Sequence, residues 1–147
     1  MNIEIEFYDT VADELIKFAV IITKSNEKWV FCKHRDRDSL EIPGGHRELA
    51  ENIDTTAKRE LYEETGAVDY KIKPVCCYSV TGNISRTNFV SEKSFGKLYF
   101  ADVSAFEEKL YNEIEEIVFS EKPSVDNWTY PVLQPQLIEE ARRRNCF

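Results

Sequence analysis

Residues 53 to 64, IDTTAKRELYEE, constrain this chain more than any other stretch, because they describe a helix that must lie on a surface yet carries acid on the contacting side. At about 100° per residue, Ile53, Ala57 and Leu61 fall within roughly 80° of one another and form one apolar stripe. Asn52 or Asp54 supplies the N-cap and Gly66 the stop. Glu60 and Glu64 land in or beside the apolar arc, and Glu63 flanks it. Like charges at i, i+3 and i+4 repel, and partial burial makes each ionised carboxylate costlier. Lys58 and Arg59 project from other sectors, so the expectation is that the helix leaves its inner carboxylates unneutralised, although Arg59 can reach Glu63 at i+4. A divalent cation meets the need. Hard oxygen ligands with no histidine or thiolate among them favour Mg²⁺ or Mn²⁺ over zinc, and those ions accompany phosphates. The bland alternative, a solvated acidic face, explains most glutamate-rich helices. Against it here, Pro43-Gly44-Gly45 offers a side-chain-free approach just before the helix, where a backbone carbonyl can join a metal site, and Glu51 adds an acid near the helix start.

The rest of the chain reads as strands around that helix. IEIEF alternates, LIKFAVIIT and WVFCKH flank KSNEK as a hairpin with an Asn-containing turn, and HRDRDSLEIPGGHRELAEN is a polar, Gly-containing connection. YKIKPVCCYSV, KLYFADV and EEIVFSE follow as strands, and QPQLIEEARRRN as a terminal helix opened by Pro135. TGNISRTNFVSEKSFG, between two strands, is expected to be an extended hairpin loop or a partly mobile flap. No repeat, low-complexity segment or linker marks a boundary, so residues 1–147 are expected to form one domain.

Gly45, Glu51, Arg59-Glu60-Leu61, Glu63-Glu64, Gly66 and Ala67 stand in the spacing G-x5-E-x7-R-E-U-x-E-E-x-G-U, which resembles the Nudix box. Ala67 is the one departure, where the family prefers a larger aliphatic residue. The strand order around the box is also similar to a Nudix domain. The resemblance implies an α/β fold: an α/β/α sandwich with a mixed central sheet and the box at its centre. It implies a pyrophosphohydrolase of MutT-like type, in which water attacks phosphorus while Mg²⁺ or Mn²⁺ bridges the phosphates. It further implies that Glu60, Glu63 and Glu64 are metal ligands, one of them also the general base, and that the Gly44 carbonyl completes the site. On the same ground Arg59 orients the carboxylates, and Glu51 is an accessory ligand. A further acid commonly precedes the strand that here reads IVF; counting back from Phe119 favours Glu113, with Glu116 second.

Unmodified or oxidised nucleoside triphosphates are the leading substrates, with ADP-ribose, dinucleoside polyphosphates and RNA 5′ ends using the same box. A nucleotide-sensing module without hydrolysis is the alternative class. A formal net charge of −8 disfavours long nucleic acid and is compatible with a small nucleotide arriving with its metal. Arg35, with Lys33 in the same alternation at the end of WVFCKH, is the candidate for meeting the phosphates. His34 and His46 read as ordinary surface or loop residues, and Tyr78, Tyr99 and Phe100 as core. Gln134 suits either a purine edge or a helix start. Adjacent Cys76 and Cys77 should point to opposite sheet faces as free thiols. No apolar run approaches the roughly 18 residues of a membrane span, and no signal peptide is visible in MNIEIEFYD, so the expectation is a cytoplasmic monomer or homodimer.

Overall fold

The computed structural model describes residues 3–84, 88–108 and 114–147. Seven strands build one sheet: β1 (Glu4–Tyr8), β2 (Ile16–Ser25), β3 (Lys28–His34), β4 (Gly44–His46), β5 (Ala67–Asn83), β6 (Phe89–Phe106) and β7 (Ile114–Ser120). Their spatial order is β1-β5-β6-β2-β3-β7, with β4 pairing β2 off that path. β2 and β6 run parallel and the other pairs antiparallel, so the sheet is mixed.

Alternation along the strands divides the apolar side chains between two layers. On one face, α1 (Ile53–Thr65) lays Ile53, Ala57 and Leu61 on Ala19, Ile21, Cys77, Tyr99 and Ala101. On the other, α2 (Leu133–Arg143) packs Leu133, Leu137, Ile138 and Ala141 against Val20, Ile22, Phe31, Tyr78 and Leu98. Cys76 joins the α2 layer and Cys77 the α1 layer, as the pleat requires. The architecture is the expected α/β/α sandwich.

Local chemistry explains the elements. Asn26 and Glu27 take positive φ of 50° and 65°, the two-residue turn whose twist suits a tight hairpin, and Ser25 pairs with Lys28 across it. The Asn52 side chain caps α1 by accepting from Asp54 N at 2.8 Å, and Gly66 ends it in the left-handed region at φ 78°. α2 begins two residues before Pro135. The ring sits in the first turn, where no intrahelical partner is lost.

Two segments differ from the sequence reading. Gly44–His46, read as connection, is a strand because it pairs with Phe18–Val20. The polar stretch after Thr81 is largely strand, with Gly82 opposite Val90 and Asn83 opposite Phe89. Ser91, Glu92 and Lys93 there are exposed, so neither face carried the apolar alternation that marks a half-buried strand. Among the described residues, no helix is long and apolar enough to cross a membrane.

Candidate active site

β4 brings the chain against α1 at the residues that lack side chains. A Cβ on Gly45 would stand 1.7 Å from Glu60 Oε2, and one on Gly44 would stand 2.5 Å from the Ala19 carbonyl oxygen. Hydrogen is therefore the one substituent that fits at either position without displacement. The closeness is used: Gly44 N donates to Glu64 Oε1 at 2.8 Å.

Arg59 gathers the acids along the helix. Its Nε donates to Glu51 Oε2 at 2.7 Å and one terminal nitrogen to Glu51 Oε1 at 3.0 Å, a bidentate grip. The other terminal nitrogen donates to Glu60 Oε1 at 2.7 Å and Glu63 Oε2 at 3.2 Å. The His46 carbonyl accepts a further bond at 2.9 Å. This corrects the expectation that the helix leaves its inner carboxylates unneutralised, since the long Arg59 side chain wraps back to Glu60. Glu51 accepts also from Thr56 Oγ1 at 2.6 Å and Glu48 N at 3.1 Å. Arg59 foremost holds its carboxyl at about 2.

One guanidinium does not balance the rest. Glu60 and Glu64 are buried at 9% and 8% exposure. Burial, and then the Glu64 charge, push Glu60 up to about 8 against the opposing pull of Arg59. Burial raises Glu64 also, against the pull of His34 and the Gly44 amide.

The sequence reading missed what stands opposite. His34 Nε2 lies 2.6 Å from Glu41 Oε1 and 3.0 Å from Glu64 Oε2. Those carboxylates, Glu41 first, hold the imidazolium up to about 10. Arg37 donates to both oxygens of the buried Glu41 at 2.9 and 3.2 Å. Cys32 Sγ is 3.8 Å from Glu64 Oε1, so histidine and thiol do approach the acids, contrary to expectation. Cys32 and His34 both reach Glu64, and strand alternation turns Lys33 away between them. The parity was available in principle: Trp29 and Phe31 belong under α2, which commits Cys32 and His34 to the α1 face. Glu113 lies outside the described residues. Glu116 is exposed on β7, opposite Lys33.

Glu60, Glu64 and His46 separate two depressions. A 510 Å³ hollow on the outer side is lined by Arg47, Glu48, Arg59, Glu63 and Ile114 as well. A 610 Å³ cavity runs the other way, with His34, Arg37 and Glu41 at its acidic end. Its far wall is largely apolar: Phe18, Val20, Ile42, Tyr78, Val80 and Leu133. Neither Lys33 nor Arg35 lines either hollow. Gln134 and the Tyr78 hydroxyl are among the polar groups of this lining. Gln134 is buried and its Oε1 accepts from Ile42 N at 2.8 Å, while the buried Tyr78 hydroxyl has no hydrogen-bond partner among the described residues.

The NUDIX domain family model matches residues 14–140. The putative 8-oxo-dGTP diphosphatase YtkD of Bacillus subtilis (strain 168) is 32% identical over 109 residues, 74% of this chain and 63% of that protein. The chain thus spans under two thirds of that relative's length. The B. subtilis pyrophosphohydrolase BsRppH superposes with a TM-score of 0.76 at 24% identity, covering 96% of this chain and 90% of the other. A UDP-X diphosphatase follows at 0.70 and 17% identity, covering 88% and 62%. The glycine-backed carboxylates of α1, the sandwich that carries them and the match over residues 14–140 together make this chain a member of the Nudix hydrolase family.

Proposed function

We propose that this chain hydrolyses a phosphoric anhydride bond in a small nucleotide, an unmodified or oxidised nucleoside triphosphate, releasing monophosphate and pyrophosphate. One observation carries the reading: Glu60 and Glu64, buried and short of positive charge, stand where an acidic hollow meets a cavity with an apolar far wall. A nucleotide has that polarity, with phosphates at one end and a flat base at the other. The relative named as a putative 8-oxo-dGTP diphosphatase supports the same substrate class.

The donor set fits a hard divalent ion. Glu60, Glu63 and Glu64, with the Gly44 carbonyl, would hold Mg²⁺ or Mn²⁺, and their excess negative charge is what such an ion offsets. When bound, the ion neutralises phosphate oxygens and lowers the cost of charge at the reacting phosphorus. The protein's own part is positioning. Arg59 fixes Glu60 and Glu63 relative to each other, and Glu51, whose oxygens are engaged by Arg59 and Thr56, acts by holding Arg59 in place. Gly44 N fixes Glu64. At the cation-bearing end, Arg37 is better placed than Arg35 or Lys33 to meet phosphate, because it lines the cavity. At the other end the base rests against Phe18 and Tyr78, whose rings lie 5.7 Å apart. Gln134, whose Oε1 is held by Ile42 N, lines the same wall as a polar group.

A substrate panel with Mg²⁺ tests this: unmodified and oxidised triphosphates, ADP-ribose, dinucleoside polyphosphates and 5′-triphosphate RNA, each scored by product. Triphosphate turnover to monophosphate and pyrophosphate is expected. Tight binding without hydrolysis of any of them would replace the enzyme with a nucleotide sensor.

A further inference from the structure

The face of β3 that meets α1 carries more than the carboxylate site requires. Cys32 and His34 alternate onto it, Glu41 is bridged directly beside Cys32 through paired backbone bonds of 2.9 and 3.0 Å, and Glu64 reaches over from α1. Cys32 Sγ, His34 Nε2 and a Glu64 oxygen all lie within 4.8 Å of one another. Glu41 Oε1 is 2.6 Å from the same imidazole nitrogen. A sulfur, a nitrogen and carboxylate oxygens from three separate segments thus converge in one buried spot. We infer that Cys32, His34, Glu64 and Glu41 form a second metal site, selective for a thiophilic divalent ion of the zinc class, which shares Glu64 with the hard-ion site.

The geometry suits four-coordination. Ligands around tetrahedral zinc stand about 3.3–3.8 Å apart, given bonds of about 2.0–2.3 Å. Cys32 Sγ and Glu64 Oε1 are 3.8 Å apart, His34 Nε2 and Glu64 Oε2 3.0 Å, and His34 Nε2 and Glu41 Oε1 2.6 Å, so closing the shell requires the His34–Glu41 pair to open by roughly 0.7 Å and Cys32 Sγ and His34 Nε2, now within 4.8 Å, to settle at tetrahedral spacing. The ion replaces the protons on sulfur and imidazole. Arg37 anchors Glu41 from behind, as outer partners of metal ligands do. Thiolate and imidazole together select against Mg²⁺ and for later transition ions. Because Glu64 turns Oε1 toward Cys32 and Oε2 toward His34, an ion held here draws on the oxygens that the hard ion would use, and occupancy of this site competes with metal-supported hydrolysis. That consequence, unlike the site, rests on the hydrolase reading.

Co²⁺ is the probe, added to metal-stripped full-length protein. A one-to-one complex with a thiolate-to-cobalt charge-transfer band is expected. Cys32→Ser should lose the band, and Cys146→Ser should keep it. His34→Gln, which retains the thiol, should weaken Co²⁺ binding at least about tenfold, the size of effect seen even for outer partners in such sites. A band that survives Cys32→Ser, or Co²⁺ affinity unchanged in His34→Gln, overturns the site. The second arm decides if Cys32→Ser fails to fold by circular dichroism. Stoichiometric Zn²⁺ against excess Mg²⁺ should inhibit hydrolysis, and Cys32→Ser, scored against its own zinc-free rate, should need at least about tenfold more zinc. Hydrolysis without a cobalt–thiolate band defeats this site and leaves the enzyme. A band without hydrolysis of any nucleotide leaves the site and defeats the enzyme.

Discussion

α1 and α2 each bury glutamate beside arginine, and the two helices resolve the same problem in opposite ways. On α2, Glu140 is buried and takes bonds from Arg143 at 3.0 and 2.5 Å and from Arg144 at 2.8 Å. Burial acts to raise its carboxyl, but the two guanidiniums outweigh it and hold the group below the ordinary carboxylate range. On α1 one guanidinium serves Glu51, Glu60 and Glu63 together, and Glu60 is pushed up to about 8. The difference lies in the number of cations per acid together with how far each carboxyl is withdrawn from water. Where charge is matched, a buried ion pair tethers a helix; where acid is in excess, the fold carries a cost that a cation from solution removes.

The sharpest way to break this comparison is at the acids themselves. Glu60→Gln and Glu64→Gln should each lower turnover by about 10²- to 10³-fold, the scale of losing a group that stabilises charge at a reacting centre. Melting temperature without metal should stay level or rise, because each change relieves like-charge crowding. Steady-state rates beside thermal melts decide it, and a large loss of stability would mean that α1 is tethered as α2 is. Next in size is the metal. Mn²⁺ at a hundred times its dissociation constant should stabilise the protein by about 2.7 kcal/mol, with most of that gain absent in Glu64→Gln.

Glu140→Gln should do the reverse of the α1 variants, costing about 1–2 kcal/mol in denaturant unfolding while leaving turnover intact. The smallest effect is on pH. A carboxyl depressed in the native state contributes stability that is complete above its unfolded pKa, about 4.3, and is lost as pH falls through the lower native value. Wild-type protein should therefore lose stability more steeply than Glu140→Gln in acid, and the two should converge below that range. Parallel curves would show that the α2 pair contributes nothing.

Much of α1 was legible because its information is local. Asn52, the stripe Ile53, Ala57 and Leu61, and Gly66 are read within one helix, and all sit as the spacing predicts. β4 was not legible, since three residues of Gly-Gly-His have no periodicity and become a strand through partners far away in sequence. His34 and Arg37 were missed for a related reason: their direction depends on which face of β3 the helix covers, a fact about packing and not about the segment. Lys33 stands between Cys32 and His34 on β3 and so alternates away from α1, and Arg35 follows the strand without lining either hollow. Tyr78 was correctly read as core, yet its lone hydroxyl has meaning once the cavity is known.

Gly45 has a consequence for how such a chain can change. Because the Glu60 carboxylate already fills the space of the absent methyl, position 45 works as a gauge that sets how closely the backbone of β4 comes to that side chain. The apolar wall has a gauge of its own, because a Cβ on Gly96 would stand 2.5 Å from Phe18 Cε2 and 2.7 Å from Tyr78 Cζ. Spacing is thus fixed separately at each end of the molecule, by one glycine against a carboxylate and by another against two rings.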